Sequence, residues 1–365
     1  MAAKIYDFAV IGAGMAGASL GSELAQHASA AVLEAEDMPG YHATGRSAAF
    51  WEECYGGPEL VPLTLGSGGF LRDNGFLNQR GALYIGRQQD GAQIDSFLDR
   101  FSSSGATIER LSAEQLANKV PMLRSEWCDA IWEPACADID VAGLHAHFLK
   151  QFKQAGGDLL TRARLQSAQF DGDCWTLVGG GQEIRAKVLV NAAGAWADEV
   201  AQIAGVKPIG ITPLRRTVVQ LRVTPTAPHD LPLVLDIGGQ FYFKPENGRL
   251  WLSPHDEVPS PPCDAAPEEL AVAEAIERLM AVVDIEVEQV ERKWAGLRSF
   301  APDRLPVYGR DRARPEFFWF AGQGGSGIQT SPAAARMASQ MLLGLPVDQV
   351  TQNLQKDTYS PTRFG

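Results

Sequence analysis

The stretch from Tyr6 to Glu34, YDFAVIGAGMAGASLGSELAQHASAAVLE, decides the fold of this chain. Apolar, β-prone residues lead into the turn GAGMAG (12–17), after which come a helix rich in small residues and a short second strand. Gly12 permits the tight turn, Gly14 lets the backbone approach a pyrophosphate, and Gly17 lets the helix pack closely on the strand. This order of elements predicts a dinucleotide-binding βαβ unit.

The second strand ends on an acid at the spacing that such a unit requires. Glu34 follows the glycine turn by about twenty residues, where a carboxylate accepts hydrogen bonds from the ribose hydroxyls of a nucleotide. The free N–H groups and the dipole of the helix N-terminus favour the pyrophosphate. The motif by itself does not distinguish FAD from NAD. The residues that we expect to contact the nucleotide are Gly12, Gly14, Met15, Ala16, Gly17, Glu34 and Ala35.

The composition is that of an ordinary globular protein. The 365 residues are 45% hydrophobic and 21% charged, which suits two domains or one large α/β unit. The net charge of −12 argues against a nucleic-acid partner and against a polybasic membrane anchor. No apolar run reaches the roughly eighteen residues of a membrane span, and the first strand begins too early to leave room for a signal peptide. We therefore expect a cytoplasmic protein, peripheral at most to the inner face of the membrane.

The cysteines indicate reduced thiols rather than a disulfide framework or a metal site. There are five of them, an odd number, and none has a cysteine or histidine neighbour at metal-ligand spacing. They are Cys54, Cys128, Cys136, Cys174 and Cys263.

Later segments return to the pattern of a buried strand followed by small residues. Such segments are VLVNAAGAW (188–196) and FFWFAG (317–322), the latter followed by QGGSGIQTSP and a helix. Between them, residues 211–251 alternate in polarity, as the strands of an antiparallel sheet do. The spacing of apolar residues also predicts helices over 58–75, 92–103, about 141–155 and 268–283. Pieces of a nucleotide-binding sheet thus lie at the beginning, middle and end of the chain, with a second sheet between them.

Several motifs together resemble one family. They are GAGMAG with VLE, TGRSAA (44–49), LVNAAGAW (189–196), WAGLRSF (294–300) followed by PDRLPVYG (302–309), and AGQGGSGIQTSPA (321–333). In order and spacing, over essentially the whole chain, they are similar to the D-amino-acid-oxidase-like (DAO) FAD-dependent oxidoreductases. Within that family the chain most resembles the bacterial D-arginine dehydrogenase type of D-amino acid dehydrogenase.

The resemblance implies non-covalently bound FAD and an α/β fold. In it, a Rossmann-like FAD-binding domain of the glutathione-reductase type is interleaved with an antiparallel-sheet α+β substrate domain. We expect the FAD-binding domain to comprise residues 1–80, 141–210 and 296–365, and the substrate domain 81–140 and 211–295. A glycine-rich helix N-terminus at 324–328 would stabilise negative charge on a reduced flavin. Further expected cofactor contacts are Thr44, Gly45, Arg46, Ser47, Ala48, Ala193, Gly194, Trp196, Gly324, Gly325, Ser326, Gly327, Ile328 and Gln329.

Oxidation of an amino acid by a flavin needs a clamp that holds the substrate carboxylate. Arg216 and Arg298 match the carboxylate-binding arginines of the family, and a guanidinium pairs with a carboxylate through two parallel hydrogen bonds. Tyr242 matches the tyrosine that reaches the carboxylate from the same sheet, and Tyr55 matches a tyrosine on a loop over the site. Structural ion pairs for the arginines, and core or surface positions for the tyrosines, are the alternatives. Arg215 is the alternative to Arg216, because adjacent residues of a strand face opposite sides and only one of the two arginines can face the site.

The chain departs from the D-arginine dehydrogenase pattern around the substrate side chain. Phe50 stands where that pattern has a histidine, and Gly81 or a neighbour stands where it has a glutamate for the substrate guanidinium. Because an unpaired buried cation is costly, loss of the acid predicts poor selectivity for arginine and lysine. Phe50 and Trp51 instead predict an apolar or aromatic wall. Glu52 and Glu53 are the alternatives that would restore an acid.

These residues predict FAD-dependent oxidative deamination of a D-amino acid with a neutral or hydrophobic side chain. Gly325 is expected to line the substrate pocket as well as the cofactor site. The electron acceptor is expected to be a quinone or O₂. The alternatives are oxidation of a secondary amine (sarcosine, an N-methyl or a cyclic imino acid), oxidation of a 2-hydroxy acid, and a non-catalytic flavoprotein subunit. A monooxygenase is disfavoured because the sequence has no second complete nucleotide fingerprint.

Overall fold

The structure, a computed structural model, describes residues 4–365 of the chain. Within this range the chain forms three β-sheets with helices packed around them. The strands are β1 (Ile5–Ile11), β2 (Ala30–Leu33), β3 (Phe50–Trp51), β4 (Leu77–Gln79), β5 (Ala82–Arg87), β6 (Glu109–Leu111), β7 (Trp127–Glu133), β8 (Ala137–Ile139), β9 (Asp158–Leu160), β10 (Leu165–Phe170), β11 (Trp175–Gly179), β12 (Gln182–Asn191), β13 (Thr212–Thr224), β14 (Leu233–Asp236), β15 (Tyr242–Glu246), β16 (Arg249–Ser253), β17 (Val258–Pro259), β18 (Glu286–Phe300), β19 (Val307–Arg310), β20 (Phe317–Ala321) and β21 (Gln323–Gly324).

The α-helices correspond closely to the segments with helical spacing of apolar residues. Those predicted at 58–75, 92–103, about 141–155 and 268–283 correspond to α2 (Val61–Asp73), α3 (Gly91–Phe101), α5 (Val141–Gln154) and α7 (Glu269–Val282). The full set is α1 (Met15–Ala25), α2 (Val61–Asp73), α3 (Gly91–Phe101), α4 (Ala113–Lys119), α5 (Val141–Gln154), α6 (Ala197–Ile203), α7 (Glu269–Val282) and α8 (Ser331–Leu343). Short 3-10 helices cover Thr44–Arg46, Gln88–Asp90, Gly194–Trp196, Lys356–Tyr359 and Pro361–Phe364.

The first sheet is the predicted nucleotide-binding sheet. Its central strands run parallel in the order β20-β12-β1-β2-β9. Both faces are covered, because consecutive residues of β1 are fully buried in different cores: Val10 with α1, α5 and α8, and Ala9 with α6. A sheet buried on both faces explains why these strands are continuous apolar runs rather than alternating ones. The predicted Rossmann-like arrangement is confirmed.

Long-range pairing brings the beginning, middle and end of the chain together. β12 pairs with the N-terminal β1 along one edge, and along its other edge with β11 and then with the C-terminal β20. The carboxyl ends of β1, β12 and β20 therefore meet at one edge of the sheet, where α/β proteins bind their ligands. Gly12, Ala192 and Gly322 are the first residues beyond these ends.

Gly12 and Gly17 allow the first strand, turn and helix to pack as closely as they do. Gly12 has φ +99°, and a side chain on it would place its Cβ 2.7 Å from the carbonyl oxygen of Ala192. A Cβ on Gly17 would overlap the carbonyl oxygen of Gly12. The two glycines are therefore required by the backbone itself, before any nucleotide is considered.

The second sheet has the order β21-β18-β13-β16-β15-β14-β5-β7-β6, with β17 also pairing with β13. Every pairing in it is antiparallel except β5–β14, so the sheet is mixed rather than wholly antiparallel as predicted. The parallel pair arises because β5 comes from a distant segment and joins the edge of the meander formed by residues 212–253. Residues 82–133 and 212–300 supply most of this sheet.

A third, three-stranded sheet of β3, β8 and β4 lies beside these two. It positions the turn of residues 52–55, which follows β3 directly. Among residues 4–365 no helix is both long and apolar enough to cross a membrane.

Candidate active site

An elongated cavity runs from the carboxyl edge of the first sheet to the face of the second sheet. It is lined by the turn after β1, the end of β2, the loop 40–48, residues 192–196, parts of β13 and β18, and the loop 323–328. Most of the predicted cofactor residues line it. They are Gly12, Gly14, Met15, Ala16, Glu34, Ala35, Thr44, Arg46, Ser47, Ala48, Ala193, Gly194, Trp196, Gly324, Gly325, Gly327 and Ile328.

Four predicted cofactor residues lie behind the lining rather than in it. Gly17 packs against Gly12, and a Cβ on Gly45 would lie 2.7 Å from the Gly40 carbonyl oxygen, so both glycines serve close backbone packing. Ser326 closes its own turn: its hydroxyl donates to the carbonyl of Gln323 at 2.9 Å. Gln329 is buried against the backbone of Glu52. These residues support the cradle and do not face it.

Glu34 organises the nucleotide end of the cavity. Its Oε2 accepts the Ala13 N–H at 2.8 Å, and its Oε1 accepts the Glu36 N–H at 3.0 Å. Each carboxylate oxygen has a second lone pair, so Glu34 can hold the glycine turn in place and still accept hydrogen bonds from a ribose. The Met15 N–H donates to Thr44 Oγ1 at 2.9 Å and ties the loop 40–48 to the start of α1.

Polar groups of the lining fit a dinucleotide. His42 contacts the ring of Trp196, with ring centroids 4.6 Å apart, and its Nε2 lies 3.0 Å from Glu36 Oε1. Its Nδ1 is buried and, among the described residues, has no hydrogen-bond partner. A buried nitrogen without a partner is costly, and a phosphate, ribose or flavin oxygen would satisfy it. Together with the glycine cradle, this supports a bound FAD.

The guanidinium of Arg46 is held by groups of the protein itself. It lines the cavity, but its guanidinium pairs with Asp264 and donates to the carbonyls of Ala265, at 3.0 Å, and Ala295, at 3.2 Å. It thus holds the loop of residues 263–265 over the cavity. Cys263 and Ala265 line the cavity from this loop, and the sequence analysis missed both, because only the contact with Arg46 places them there.

The glycine-rich loop after β20 differs from the prediction in one respect. We expected a helix N-terminus at 324–328, but residues 325–330 form consecutive turns and α8 begins at Ser331. Pro332 lies in the first turn of α8, where its missing N–H costs nothing. The loop still presents Gly324, Gly325 and Gly327 to the cavity.

The two predicted arginines face the same cavity from neighbouring strands. β13 pairs with β18 so that Arg216 lies opposite Gly296 and Leu214 opposite Arg298. Residues two apart share a face of a sheet, so Arg216 and Arg298 lie on one face. Arg215 points the other way, with Nη1 2.6 Å from Glu268 Oε1.

Arg216 is only partly neutralised. Its Nε donates to the Asp256 carbonyl at 2.9 Å and its Nη2 to Glu257 Oε1 at 3.0 Å. Its Nη1 is buried and has no partner among the described residues. Burial, and after it the like charge of Arg298, lower the pKa of Arg216 to about 10, so the guanidinium stays charged at neutral pH. A buried positive group with a free N–H is what a carboxylate ligand requires.

Gly325 lines the arginine end of the cavity, whereas Tyr55 is not part of the lining and contacts it through Arg298. The Arg298 Nη1 donates to the hydroxyl of Tyr55 at 2.7 Å. A Cβ on Gly325 would overlap that hydroxyl and approach Arg298 Nη1 to 3.0 Å, so a side chain at this position requires Tyr55 to move. Tyr242 in β15 is buried and lines the cavity, and Phe50 meets its ring edge-on at a centroid distance of 6.1 Å.

The structure corrects the placement of two predicted pocket residues. Trp51 is 1% exposed and its Nε1 donates to the Thr64 carbonyl at 3.0 Å, so it belongs to the core beside β3 and not to a substrate wall. Gly81 has φ +81°, and a side chain there would collide with the ring of Trp132. It is a turn residue before β5 and does not line the cavity.

A cluster of buried acids lies next to this end of the cavity. Glu52 is 3% exposed and accepts a hydrogen bond from the Tyr84 hydroxyl. Glu133 is fully buried and accepts the N–H groups of Glu53, at 2.6 Å, and Cys54, at 3.3 Å. Burial raises the pKa of Glu52 to about 7 against the opposing effects of Tyr84 and of the Arg298 charge. Burial, and after it the charge of Glu52, raise the pKa of Glu133 to about 8.

The sequence analysis missed Glu133 and left the roles of Glu52 and Glu53 open. Glu133 ends an apolar strand directly before a proline, and an acid in that position is the signal that could have marked it as buried and bonded. Glu53 accepts the Thr107 N–H at 2.7 Å, away from the arginines. Neither Glu52 nor Glu53 lines the cavity.

Comparisons with known proteins agree with this geometry. The model of the DAO family, described as FAD dependent oxidoreductase, matches residues 7–341. A glycine oxidase of Geobacillus kaustophilus (strain HTA426) is 23% identical over 92% of this chain and 93% of its own length. A mitochondrial L-2-hydroxyglutarate dehydrogenase of Bos taurus is 24% identical over 68% of this chain, which spans only 60% of that relative. The crystal structure of L-proline dehydrogenase from P. horikoshii superposes with a TM-score of 0.86 at 21% identity, covering 99% of this chain and 98% of that one; at this identity the likeness shows the fold.

Proposed function

The chain belongs to the DAO family of FAD-dependent oxidoreductases, and from this premise we propose that it oxidatively deaminates a D-amino acid with a neutral or hydrophobic side chain. The products are an imino acid, which hydrolyses to the 2-oxo acid and ammonia, and the reduced cofactor. The observation that carries the proposal is the buried Nη1 of Arg216, which has no hydrogen-bond partner within residues 4–365 and lies in the cavity that Arg298 also lines. The D configuration rests on the resemblance to D-arginine dehydrogenases.

In this proposal the chain's own residues bind and orient the substrate. Arg216 and Arg298 hold the substrate carboxylate, Tyr55 fixes the direction of the Arg298 guanidinium, and Tyr242 closes the carboxylate site from β15. The glycine turn 12–17, Glu34 and the loop 323–328 hold the FAD non-covalently. FAD, when bound, supplies the hydride acceptor at N5. The reducing equivalents then pass to a quinone or to O₂.

The charges of the cavity support a neutral substrate side chain. The acids that line its described part are Glu34, Glu36 and Glu199, and all three lie at the nucleotide end. A substrate guanidinium or ammonium group at the arginine end would remain unpaired beside two cations. The same lack of a carboxylate favours an amine that binds in its neutral form, since the described lining offers no acid there to take its proton.

We propose the predicted division into domains on the basis of the two large sheets. Residues 1–80, 141–210 and 296–365 would form the FAD-binding domain, and 81–140 and 211–295 the substrate domain. β18 crosses the boundary at residue 296, and β21 joins the second sheet from the C-terminal part. The arginine end of the cavity is thus built where the two parts meet.

Anaerobic reduction of the purified flavoprotein tests the proposal. The substrates are neutral and aromatic D-amino acids, their L-enantiomers, D-arginine, N-methyl and cyclic amino acids, and 2-hydroxy acids. Loss of the oxidised-flavin absorbance band should be rapid with neutral D-amino acids and slow with D-arginine. Rapid reduction by D-arginine would contradict the charge argument, and reduction by none of the panel would contradict the proposed function.

Oxidation of a secondary amine is the second candidate. The superposed dehydrogenase is named for proline, a cyclic secondary amine. The arginine pair would hold the carboxylate of such a substrate in the same way. Reduction by N-methyl or cyclic amino acids, with none by primary D-amino acids, would favour this candidate.

A further inference from the structure

The segment of residues 254–257 runs beside Arg216 on the second sheet. It follows β16 without regular secondary structure and precedes β17. The Asp256 carboxylate accepts the Thr217 N–H at 2.7 Å and the Thr217 hydroxyl at 2.8 Å, which fixes the segment to β13. The Asp256 carbonyl and the Glu257 carboxylate then accept hydrogen bonds from Arg216, at 2.9 Å and 3.0 Å. Two consecutive residues therefore contact one guanidinium group.

These two contacts occupy one edge of the guanidinium. In an arginine, Nε and Nη2 share the side-on edge, whereas Nη1 and the second N–H of Nη2 form the end-on edge. The Asp256 carbonyl accepts from Nε and Glu257 accepts from Nη2, so the protein itself fills the side-on edge of Arg216. Nη1 is buried and has no partner among residues 4–365. The end-on edge is therefore the one that Arg216 offers to a carboxylate in the cavity.

Arg304 holds Glu257 from the other side. Its Nη2 donates to Oε1 of Glu257 at 2.8 Å and to Oε2 at 3.0 Å. The guanidinium of Arg304 lies over the ring of Phe300, 4.0 Å from the ring centroid. Arg304 is half-exposed, Glu257 is 35% exposed and Arg216 is 4% exposed. A chain of contacts thus runs from the surface through Glu257 to the buried guanidinium.

The second contact on the side-on edge is what fixes the plane of the guanidinium. A group held by one hydrogen bond can still tilt about that bond, whereas two parallel bonds on the same edge define its orientation. A displacement of about 1 Å in such a group can cost about a hundredfold in rate. The contact with Glu257 therefore matters to a ligand that Glu257 does not touch.

We propose that Glu257 is a positioning residue of the carboxylate clamp. Together with the Asp256 carbonyl it fixes the guanidinium of Arg216 so that the end-on edge faces the cavity, and Arg304 keeps Glu257 in place. Glu257 itself does not line the cavity. This inference rests on the proposed function, because it requires that Arg216 binds a carboxylate.

Glu257 has two effects on a bound carboxylate, and they have opposite signs. Orientation of Arg216 favours binding, whereas the negative charge of Glu257 repels another anion. The variants Glu257→Gln and Glu257→Ala remove the same charge. Only glutamine keeps a side-chain oxygen that accepts a hydrogen bond from Arg216 Nη2. The difference between the two variants therefore measures positioning alone.

Benzoate is the probe, because it carries a carboxylate and no amine and is not oxidised by a flavin. Its binding to the holoprotein is followed by the change in the flavin absorption spectrum. We expect Glu257→Gln to bind benzoate about three- to tenfold more tightly than the wild type, because a repelling charge is lost. Glu257→Ala should bind it about five- to twentyfold more weakly than Glu257→Gln, because the guanidinium is no longer held.

The rate of flavin reduction supplies a second readout. With the D-amino acid that reduces the wild type fastest, the limiting rate constant should stay within about threefold of the wild type in Glu257→Gln and fall by about tenfold or more in Glu257→Ala. If Glu257→Ala does not fold, Glu257→Leu replaces it, because leucine fills the same space without an acceptor oxygen.

Arg304→Met tests whether Arg304 acts through Glu257. Methionine keeps an apolar chain over Phe300 and loses the two bonds to the carboxylate. In the wild type this change should raise the benzoate Kd about two- to fivefold, and in Glu257→Ala by no more than about 1.5-fold. Equal effects in the two backgrounds would mean that Arg304 acts on the ligand by its charge and would overturn this part of the inference.

Glu291→Ala is the matched control. Glu291 also bridges two arginines of the second sheet, Arg222 at 2.6 Å and Arg249 at 2.5 Å, and none of the three lines the cavity. The benzoate Kd of this variant should stay within about twofold of the wild-type value. A change as large as that in Glu257→Ala would show a general effect on the sheet and would overturn the inference.

Equal benzoate Kd values in Glu257→Gln and Glu257→Ala would overturn the inference and leave the proposed function standing. The expected Kd values, with no reduction of the flavin by any amino acid, would support the positioning role and contradict the proposed function. If benzoate does not perturb the flavin spectrum of the wild type, the arginine clamp itself is contradicted, and both proposals fail.

Discussion

Arg216 and Arg215 are adjacent on one strand, yet their side chains lie on opposite faces of the sheet. The two side chains have the same chemistry, but strand geometry sends Arg216 into the cavity and Arg215 to Glu268 and Asp256 on the opposite face. Among the described residues both arginines have buried nitrogens without a hydrogen-bond partner, Nη1 of Arg216 and Nε and Nη2 of Arg215, but only Arg216 lines the cavity. Arg215 pairs instead with acids outside the cavity. Whether an arginine can take part in a carboxylate clamp therefore depends more on the face of the sheet that its side chain occupies than on its residue type.

Replacing Arg298 by lysine tests the clamp. Lysine keeps the charge but loses the planar pair of donors, and a hydrogen bond to a charged group contributes about 1.5–3 kcal/mol. We expect the second-order rate constant for flavin reduction to fall by about 10- to 100-fold in Arg298→Lys. The matched control, Arg215→Lys, should remain within about threefold of the wild type. Equal losses in both variants would contradict the assignment of Arg298 to the clamp.

The variant Gly325→Ala tests whether flavin reduction tolerates a displacement of Arg298 and Tyr55. An added Cβ in Gly325→Ala would overlap the Tyr55 hydroxyl and crowd Arg298. Since a misplacement of about 1 Å can cost about a hundredfold in rate, we expect a loss of that order in flavin reduction with the flavin content preserved. Gly69→Ala, in an exposed part of α2 where a Cβ meets nothing within 4 Å, is the control and should react normally.

The element that positions the cofactor is the strand–turn–helix unit of β1 and α1. Gly17 packs directly against the carbonyl of Gly12, so there is no space for a side chain on Gly17. The third element to meet this turn is β12, whose end at Ala192 blocks any side chain on Gly12. The unit therefore depends on tertiary contacts as well as on its own glycines.

Gly17→Ala should separate α1 from β1. The added methyl group cannot be accommodated without moving the backbone, and a strained or overpacked core residue typically costs about 1–3 kcal/mol. We expect a lower melting temperature in the apoprotein as well as the holoprotein, and reduced flavin content after purification. Gly14→Ala should have a smaller effect on stability, since its Cβ would only approach Thr44 Oγ1 to 3.2 Å. A larger effect at Gly14 than at Gly17 would contradict this ranking.

At the scale of the whole molecule, the cavity joins the two large sheets. Its lining draws on the ends of β1 and β12 in the first sheet and on β13 and β18 in the second. A ligand that fills it contacts both sheets, so its binding energy adds to the stability of the assembled chain.

Removal of FAD should therefore destabilise the protein as a whole. Ligand at about 100 times its Kd stabilises a protein by about 2.7 kcal/mol. We expect the apoprotein to melt several degrees below the holoprotein and its melting temperature to rise with added FAD. ADP, which resembles only the nucleotide end, should produce a smaller rise. A melting temperature independent of FAD would contradict the assignment of the cavity.

The buried acids give the stability a defined pH dependence. A carboxyl whose pKa is raised in the folded state contributes most to stability below its unfolded pKa, and this contribution is lost as the pH rises through the folded value. For Glu133 the window runs from its ordinary value of 4.5 to about 8. The wild type should therefore lose stability from pH 5 to pH 8, whereas Glu133→Gln should not. The difference in free energy of unfolding, variant minus wild type, should rise by about 1 kcal/mol or more between these pH values.

Thermal unfolding at both pH values measures this difference. Since the amide introduced by Glu133→Gln has one acceptor fewer for backbone N–H groups at either pH, the comparison across pH cancels that loss. Glu126→Gln, at an exposed position, serves as the control and should show no trend. If the difference in stability between Glu133→Gln and the wild type is the same at pH 5 and pH 8, burial does not raise the pKa of Glu133 as inferred.

The sequence by itself determined the features that depend on local chemistry. The glycines at 12, 14 and 17, the acid at Glu34 and the continuous apolar strands specify a nucleotide-binding unit, because φ values, helix termini and buried parallel strands each restrict the residues that can form them. The assignment of Arg216 and Arg298 to a carboxylate clamp came from the resemblance to the DAO family and stays a prediction.

Only the tertiary structure decided which of these residues face the cavity. Phe50 contacts Tyr242 but, like Trp51, does not line the cavity. Gln329 bonds the backbone of Glu52 behind the lining, and Glu133 joins the acids of the 52–55 turn from a distant strand. Such placements depend on pairings between distant strands, and local pattern carries no information about them. The electrostatics of the site follow from the same long-range packing, because burial and neighbouring charges set the pKa of an acid.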